Sequence, residues 1–172
     1  AAGALAANTT GASNTAVGQN ALTANTTGAE NVAIGHAALD SVTTGGENTA
    51  LGKDAGAGIT TGIRNIIIGK SAANHSPILT TGNYNVVIGA YADTTAANAQ
   101  FAVAIGYDVS GAGGYTTVGQ QTTDIRAQHG VATWATVSDE RYKKDIVDST
   151  AGLSFINALR PRTFKYKTLG EL

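Results

Sequence analysis

The chain has 172 residues (17.3 kDa), a formal net charge of -1, 22 glycines, and 13% charged residues against about 25% in an ordinary soluble domain. Sparse charge without a basic excess argues against nucleic-acid binding, which rests on clustered Lys and Arg. The absence of Cys excludes disulfides, thiolate metal sites and thiol nucleophiles, and no apolar run approaches the ~20 residues a spanning helix needs. Met is absent even at position 1, and the Ala-rich start lacks the basic segment of a signal peptide. The chain therefore reads as a fragment of something longer or a processed product. Residues 1–137 hold four basic and seven acidic side chains, a net of -3, whereas residues 138–172 hold seven and five, a net of +2. That shift predicts a boundary near Ser138.

Residues 1–119 are a repeat region. NTAVG (14–18), NVAIG (31–35), NTALG (48–52), NIIIG (65–69) and NVVIG (85–89) share one pattern, with final glycines spaced 17, 17, 17 and 20. A second marker, TTG, ends at Gly11, Gly28, Gly45, Gly62 and Gly82, always seven residues earlier. The longer spacing is a three-residue insertion around His75, Ser76 and Pro77. FAVAIG (101–106) and YTTVG (115–119) are degenerate copies without TTG. Asn, Thr, Val and Ile before a glycine predict a short strand. TTG-x-x before the Asn predicts a turn, with its Gly free to take positive φ.

The last two strand side chains are apolar in every copy: Ala16 and Val17, Ala33 and Ile34, Ala50 and Leu51, Ile67 and Ile68, Val87 and Ile88. Consecutive strand residues point to opposite faces, so both faces call for burial. A coil of 17 residues is too thin to cover both by itself. The expected fold is therefore mainly β: a β-solenoid or β-roll whose coils stack within one chain and whose second face packs on other copies, as a homotrimer about a threefold axis. The third position after each glycine is Ala21, Ala38, Ala55, Ala72 or Ala92, which suits a narrow interior; the next position (Leu22, Leu39, Gly56, Ala73, Asp93) is looser. The Asn column (Asn14, Asn31, Asn48, Asn65, Asn85) reads as a turn residue, with a stacked side-chain ladder as the alternative. The pairs before it, Ala12–Ser13, Ala29–Glu30, Gly46–Glu47, Ile63–Arg64 and Asn83–Tyr84, vary freely. They mark a solvated side, read as plain surface with partner binding as the alternative.

The units NTAVGQNAL (14–22) and NVAIGHAAL (31–39) resemble the head repeats of trimeric phage tail fibres and trimeric autotransporter adhesins. That resemblance covers about residues 8–119 and implies no catalytic residue. Residues 120–137 read as a closing β segment, with Val131–Val137 alternating around Trp134 as a packing cap.

From Ser138 the pattern changes. SDERYKKDI (138–146) is followed by Ser149 and Thr150 as helix caps, then by Leu153, Ile156 and Leu159, a stop at Pro161, and an alternating segment Thr163–Lys167. By itself this reads as a small amphipathic α+β piece. SDERYKKDI together with LRPRTFKYK (159–167) resembles the C-terminal intramolecular chaperone of phage tailspikes, tail fibres and endosialidases, the S74 peptidases. Tyr142 stands where leucine is commoner, and the chain ends at Leu172 without the helical extension usual in such chaperones. Residues 138–172 would thus be the N-terminal part of that domain. The resemblance implies assistance to trimerisation and self-cleavage between Val137 and Ser138, with Ser138 as nucleophile and Lys143 as base. Lysine serves only when neutral, so its pKa must fall by several units, through burial or cations such as Arg141 and Lys144. On one helix an i,i+5 pair points about 140° apart; the pair would meet only if Ser138 precedes a helix or if chains contribute across the trimer.

No cofactor and no metal site is expected. His36 reads as exposed, His75 lies in the insertion and His129 near the closing segment, none at ligand spacing from another; GxGxxG and P-loop fingerprints are missing. The expected role is a structural, host-receptor-binding fibre of a phage tail, on the virion and extracellular after release. Its partners would be its own copies and a host surface receptor, a glycan or an outer-membrane component, with neither nucleic acid nor membrane insertion. A bacterial trimeric adhesin head is the alternative, and an ice-binding solenoid, suggested by the paired threonines, a third.

Overall fold

A computed structural model of the chain describes residues 3–131, apart from Ser76 and Thr122, together with the backbone of residues 135–136. The chain divides into two compact units, Ala1–Ser138 and Asp139–Leu172. The second unit, with Trp134 and Val137, lies outside the described residues, as do the α+β expectation and the positions Ser138 and Lys143.

The described residues are all β, and they form the expected β-solenoid, of about six turns. Strands β1 (Thr15–Val17), β2 (Val32–Ile34), β3 (Thr49–Leu51), β4 (Ile66–Ile68) and β5 (Val86–Ile88) pair in parallel and in strict register. Each residue faces its equivalent one repeat later, as Ala16 faces Ala33. The sheet continues through β7 (Val103–Tyr107) and β9 (Tyr115–Gln120), also parallel, so both degenerate copies are coils. A second side pairs β6 (Asp93–Thr94) with β8 (Ser110–Gly111). The stacking direction ends at β10 (Ile125–Gln128), which runs antiparallel to β9 and pairs in turn with β11 (Ala135–Thr136).

The central strand residue points inward: Ala33, Ala50, Ile67, Val87 and Ala104 are fully buried. So is the alanine column, Ala21, Ala38, Ala55, Ala72 and Ala92, as the narrow interior required. The position after it is interior too, and sizes compensate along the stack. Gly56 occupies that position in the third coil, where a Cβ would crowd Leu39, Ile59 and Ile67. An interior packed at crystal density leaves no slack for a larger residue there.

Two expectations need correction, and a third is met. As expected of so thin a coil, a single chain buries only one face of the strands and leaves the other uncovered: Val17 is 56% exposed, Leu51 47% and Ile34 39%. The TTG glycines do not take positive φ. At Gly28, Gly45 and Gly62 a Cβ would run into the carbonyl oxygen of the next TTG glycine, so these residues allow the coils to approach. Positive φ belongs to the strand-ending glycines (Gly18 at 134°, Gly35 and Gly52 at 141°) and, two residues after TTG, to Ser13, Glu30, Glu47, Arg64 and Tyr84 at 56–60°. No β-branched residue stands at any positive-φ position among the described residues, as steric crowding requires.

The second correction concerns the Asn column, which is a ladder. From Asn31 onward each Nδ2 donates to Oδ1 of the Asn one coil earlier at 3.0–3.1 Å. Every Nδ2 of the column also donates to a backbone carbonyl one coil later, from Gly28 for Asn14 to Ala99 for Asn85. Each Oδ1 accepts, in addition, the backbone N–H at the same position of the following coil, ending at Ala102. Asn31, Asn48, Asn65 and Asn85 are fully buried. A shorter rung joins Asn25 Nδ2 to Asn8 Oδ1 at 2.9 Å; Val42 follows in that column, and Asn25 Oδ1 is left without a partner.

Candidate functional site

The first and third residues of β1–β5 and β7, and their register partners Thr116 and Val118 in β9, point away from the interior, by the period-2 alternation of a strand. Stacked in register, they make an outer face running the length of the parallel sheet. Val17, Ile34, Leu51, Ile66 and Ile105 are its most exposed apolar members, and Thr15, Thr49 and Thr116 are its polar exceptions. A contiguous apolar face of this kind marks an interaction surface, because water contact costs free energy over its whole area.

The columns before and after the strands border this face. The variable column before them is solvated, as expected, but it is not a set of independent side chains. Arg64 Nε donates to Glu47 Oε2 at 2.8 Å and its Nη1 to the Tyr84 hydroxyl at 2.8 Å. Tyr84 stacks on Phe101 with ring centroids 5.1 Å apart. The Arg64 bond holds the Glu47 carboxyl below its usual range. On the other border His36 is exposed, with Nδ1 3.5 Å from Asp54 Oδ1; Lys53 Nζ lies 3.6 Å from Asp54 Oδ2, and Lys70 sits over the Tyr91 ring at 5.3 Å. These ladders were not legible from the variability of the column; equal spacing by one coil was the signal for them.

Asp93 is the second feature that sequence reasoning passed over. It occupies the interior column held elsewhere by Leu22, Leu39, Gly56 and Ala73, and it is buried. Its Oδ2 accepts the His75 N–H at 2.6 Å and its Oδ1 the Thr94 N–H at 2.7 Å. The insertion displaces the chain at His75, and a carboxylate one coil later meets the N–H so exposed. Burial pushes the Asp93 carboxyl up to about 6, against the opposing pull of the Thr94 and His75 N–H groups and the His75 charge.

A pKa raised on folding means that the native state binds the proton more tightly, so stability is greatest below the unfolded value near 4 and falls as pH rises to about 6. About two pK units correspond to ~3 kcal/mol. Thermal melts at pH 4 and pH 7 should show that fall, and Asp93→Asn should flatten it. An Asp93→Asn profile parallel to the parent's would refute the assignment.

The remaining candidates are plain. His75 and His129 are exposed, and His129 Nε2 lies 3.2 Å from Thr116 Oγ1. No cluster of three His, Asp or Glu able to hold a metal occurs among the described residues, and no helix there is long and apolar enough to cross a membrane. The first threonine of each TTG spends its hydroxyl on a carbonyl of the next coil, as Thr26 does on Thr43. Paired free threonines are thus not presented, which weighs against the ice-binding alternative.

In comparison with known proteins, residues 138–171 match the family model of the S74 peptidases, described as the chaperone of endosialidase. The match begins at Ser138 and includes Lys143. No curated protein and no solved structure is significantly similar to the chain.

Proposed function

We propose that the chain is part of a trimeric fibre of a phage tail, structural and host-receptor-binding, whose C-terminal segment is an intramolecular chaperone released by self-cleavage at Val137–Ser138. The supporting observation is the conjunction on one chain of a solenoid with an uncovered apolar face and a chaperone-of-endosialidase match beginning at Ser138. A folding helper suits such a fibre, because in-register stacking of three chains is slow and exposes apolar edges on the way. The receptor would be a glycan or an outer-membrane component, and the place of action the virion. A bacterial adhesin head shares the repeats, but the segment from Ser138 favours the fibre.

In this reading the Ser138 hydroxyl attacks the Val137 carbonyl while Lys143 takes its proton, the peptide nitrogen leaves as the amino group of Ser138, and water hydrolyses the resulting ester. In a chain carrying the complete chaperone, N-terminal sequencing of the released fragment should begin at Ser138. Ser138→Ala and Lys143→Ala should each abolish release. Lys143→Arg should fail as well, because guanidinium stays protonated. Lys144→Ala should only slow release. Trimerisation should survive Ser138→Ala, with light scattering giving about three times 17.3 kDa for the uncut chain. A cut elsewhere, or full-rate cutting with Lys143→Ala, refutes the dyad; a monomer at micromolar concentration refutes the trimer.

A further inference from the structure

We propose that the notch at the end of the variable column, between Phe101 and the turn after β10, binds one neutral pyranose ring of a glycan. The proposal rests on the receptor-binding reading above and names the ligand class and the place. The column before the strands is stacked from coil to coil through Glu47, Arg64, Tyr84 and Phe101. The Arg64 guanidinium lies 5.5 Å from the Tyr84 ring centroid, and the Phe101 ring is within 7° of parallel to Tyr84. Gly114 is the next member, since its N–H donates to the Gln100 carbonyl as the Phe101 N–H does to Asn83. It has no side chain, and among the described residues nothing lies within 4 Å of where its Cβ would stand. One face of the Phe101 ring is thus covered by Tyr84 and the other is left open, and Phe101 is 53% exposed.

The turn from Gln128 to Val131 closes the far side. The His129 N–H donates to the Gly114 carbonyl, and the His129 ring is drawn to Thr116 Oγ1. Two strand spacings, about 9.5 Å, separate the Phe101 and His129 positions. A single ring resting at about 4 Å on Phe101 occupies that height. A pyranose offers a patch of C–H groups on one side and hydroxyls around its edge. The open Phe101 face suits the patch. The amides of Gln100 and Gln128 and the His129 imidazole, all exposed, supply donors and acceptors for the edge. Charge selects a neutral sugar. The column carries no acid beyond Glu47. Its cation, Arg64, is spent on Glu47 and Tyr84, and Arg126 of β10 on Thr117 Oγ1 and the Ser110 carbonyl. A carboxylate or phosphate gains no free partner from either.

One stacked ring gives affinity of about millimolar order, and a repeating glycan engaged by several copies would bind more tightly. Saturation-transfer NMR of the full chain with the methyl glycosides of glucose, galactose, mannose and N-acetylglucosamine should show at least one held through a C–H face. Phe101→Ala should weaken it about tenfold or more. Gly114→Asn should abolish binding by filling the notch, with the melting temperature unchanged, because Asn tolerates the local φ of 76°. Arg64→Ser should bind as the parent does, and methyl glucuronide no more tightly than methyl glucoside. The proposal is overturned if the parent holds no saccharide, if binding survives Gly114→Asn, if Arg64→Ser loses as much as Phe101→Ala, or if the notch takes indole and excludes the sugars, which would mark an aromatic side chain of a protein partner. The notch lies within one chain, so these outcomes stand apart from the assembly and cleavage tests. A chain that holds sugar but neither assembles nor cuts itself would instead overturn the fibre reading.

Discussion

Asn65→Asp is expected to destabilise the solenoid by about 4 kcal/mol or more at neutral pH, although the two side chains are the same size. The Asn65 Nδ2 donates to Asn48 Oδ1 and to the Gly82 carbonyl. An aspartate oxygen in its place would face two acceptors inside a fully buried column and could donate to neither. The cost combines a buried charge with two lost hydrogen bonds: Asn48 Oδ1 keeps the Asn65 N–H, but the Gly82 carbonyl loses its side-chain donor, at about 1–3 kcal/mol. Acidification should restore part of the loss, since a protonated carboxyl regains one donor. Asn14→Asp should cost less, because Asn14 is only half-buried at the end of the ladder. Asn25→Leu should also cost less than Asn65→Asp, since it buries no charge and Asn25 Oδ1 has no partner to lose, although Nδ2 gives up its bonds to Asn8 Oδ1 and the Gly28 carbonyl. Chemical denaturation of the three variants decides the matter; equal losses would show that the column serves as a turn and not as a ladder.

The second large effect separates two adjacent isoleucines. Ile67 is fully buried within the coil stack, whereas Ile68 points to the outer face. Ile67→Asp should cost about 4 kcal/mol or more in the isolated chain, through an unpaired charge in a packed interior and the loss of buried apolar area. Ile68→Asp should change the stability of the isolated chain by about 1 kcal/mol or less. Its effect should appear in association, as a rise in the concentration needed to assemble. Arg64→Ser, at the border, should stay near ~0.5 kcal/mol, as exposed pairs do. Denaturation at dilution, together with light scattering across concentrations, measures both quantities. An Ile68→Asp chain as unstable as Ile67→Asp at dilution would mean that the strand faces are reversed.

The 17-residue period, the strand positions and the small-residue interior were legible in the sequence because a repeat writes each structural constraint five times. Ala21, Ala38, Ala55, Ala72 and Ala92 could be read as one position in a narrow core, and strand alternation then assigned Ile67 and Ile68 to opposite faces. The boundary proposed near Ser138 and the resemblance of the following segment to an intramolecular chaperone also came from residue order alone, and the family match covers that same segment.

Only the tertiary structure decided what the repeated residues do for one another. A column of Asn suits a turn and a ladder equally well by composition; the parallel register, which brings each amide within 3.1 Å of the next, selects the ladder. A TTG glycine is permitted by a positive φ or by a close approach, and only the position of the neighbouring coil's carbonyl shows that it is the approach. Asp93 is the one acid in an otherwise apolar or glycine column, and only the stacked coils bring the His75 N–H against it. Alternation placed the second apolar face on the outside of a single chain, as Val17 and Leu51 show, but alternation determines where a side chain points and not what covers it. Local chemistry is carried by each residue's own identity. Hydrogen-bond partners and buried faces are set by residues 17 or 20 positions away, and those distances exist only once the coils have stacked.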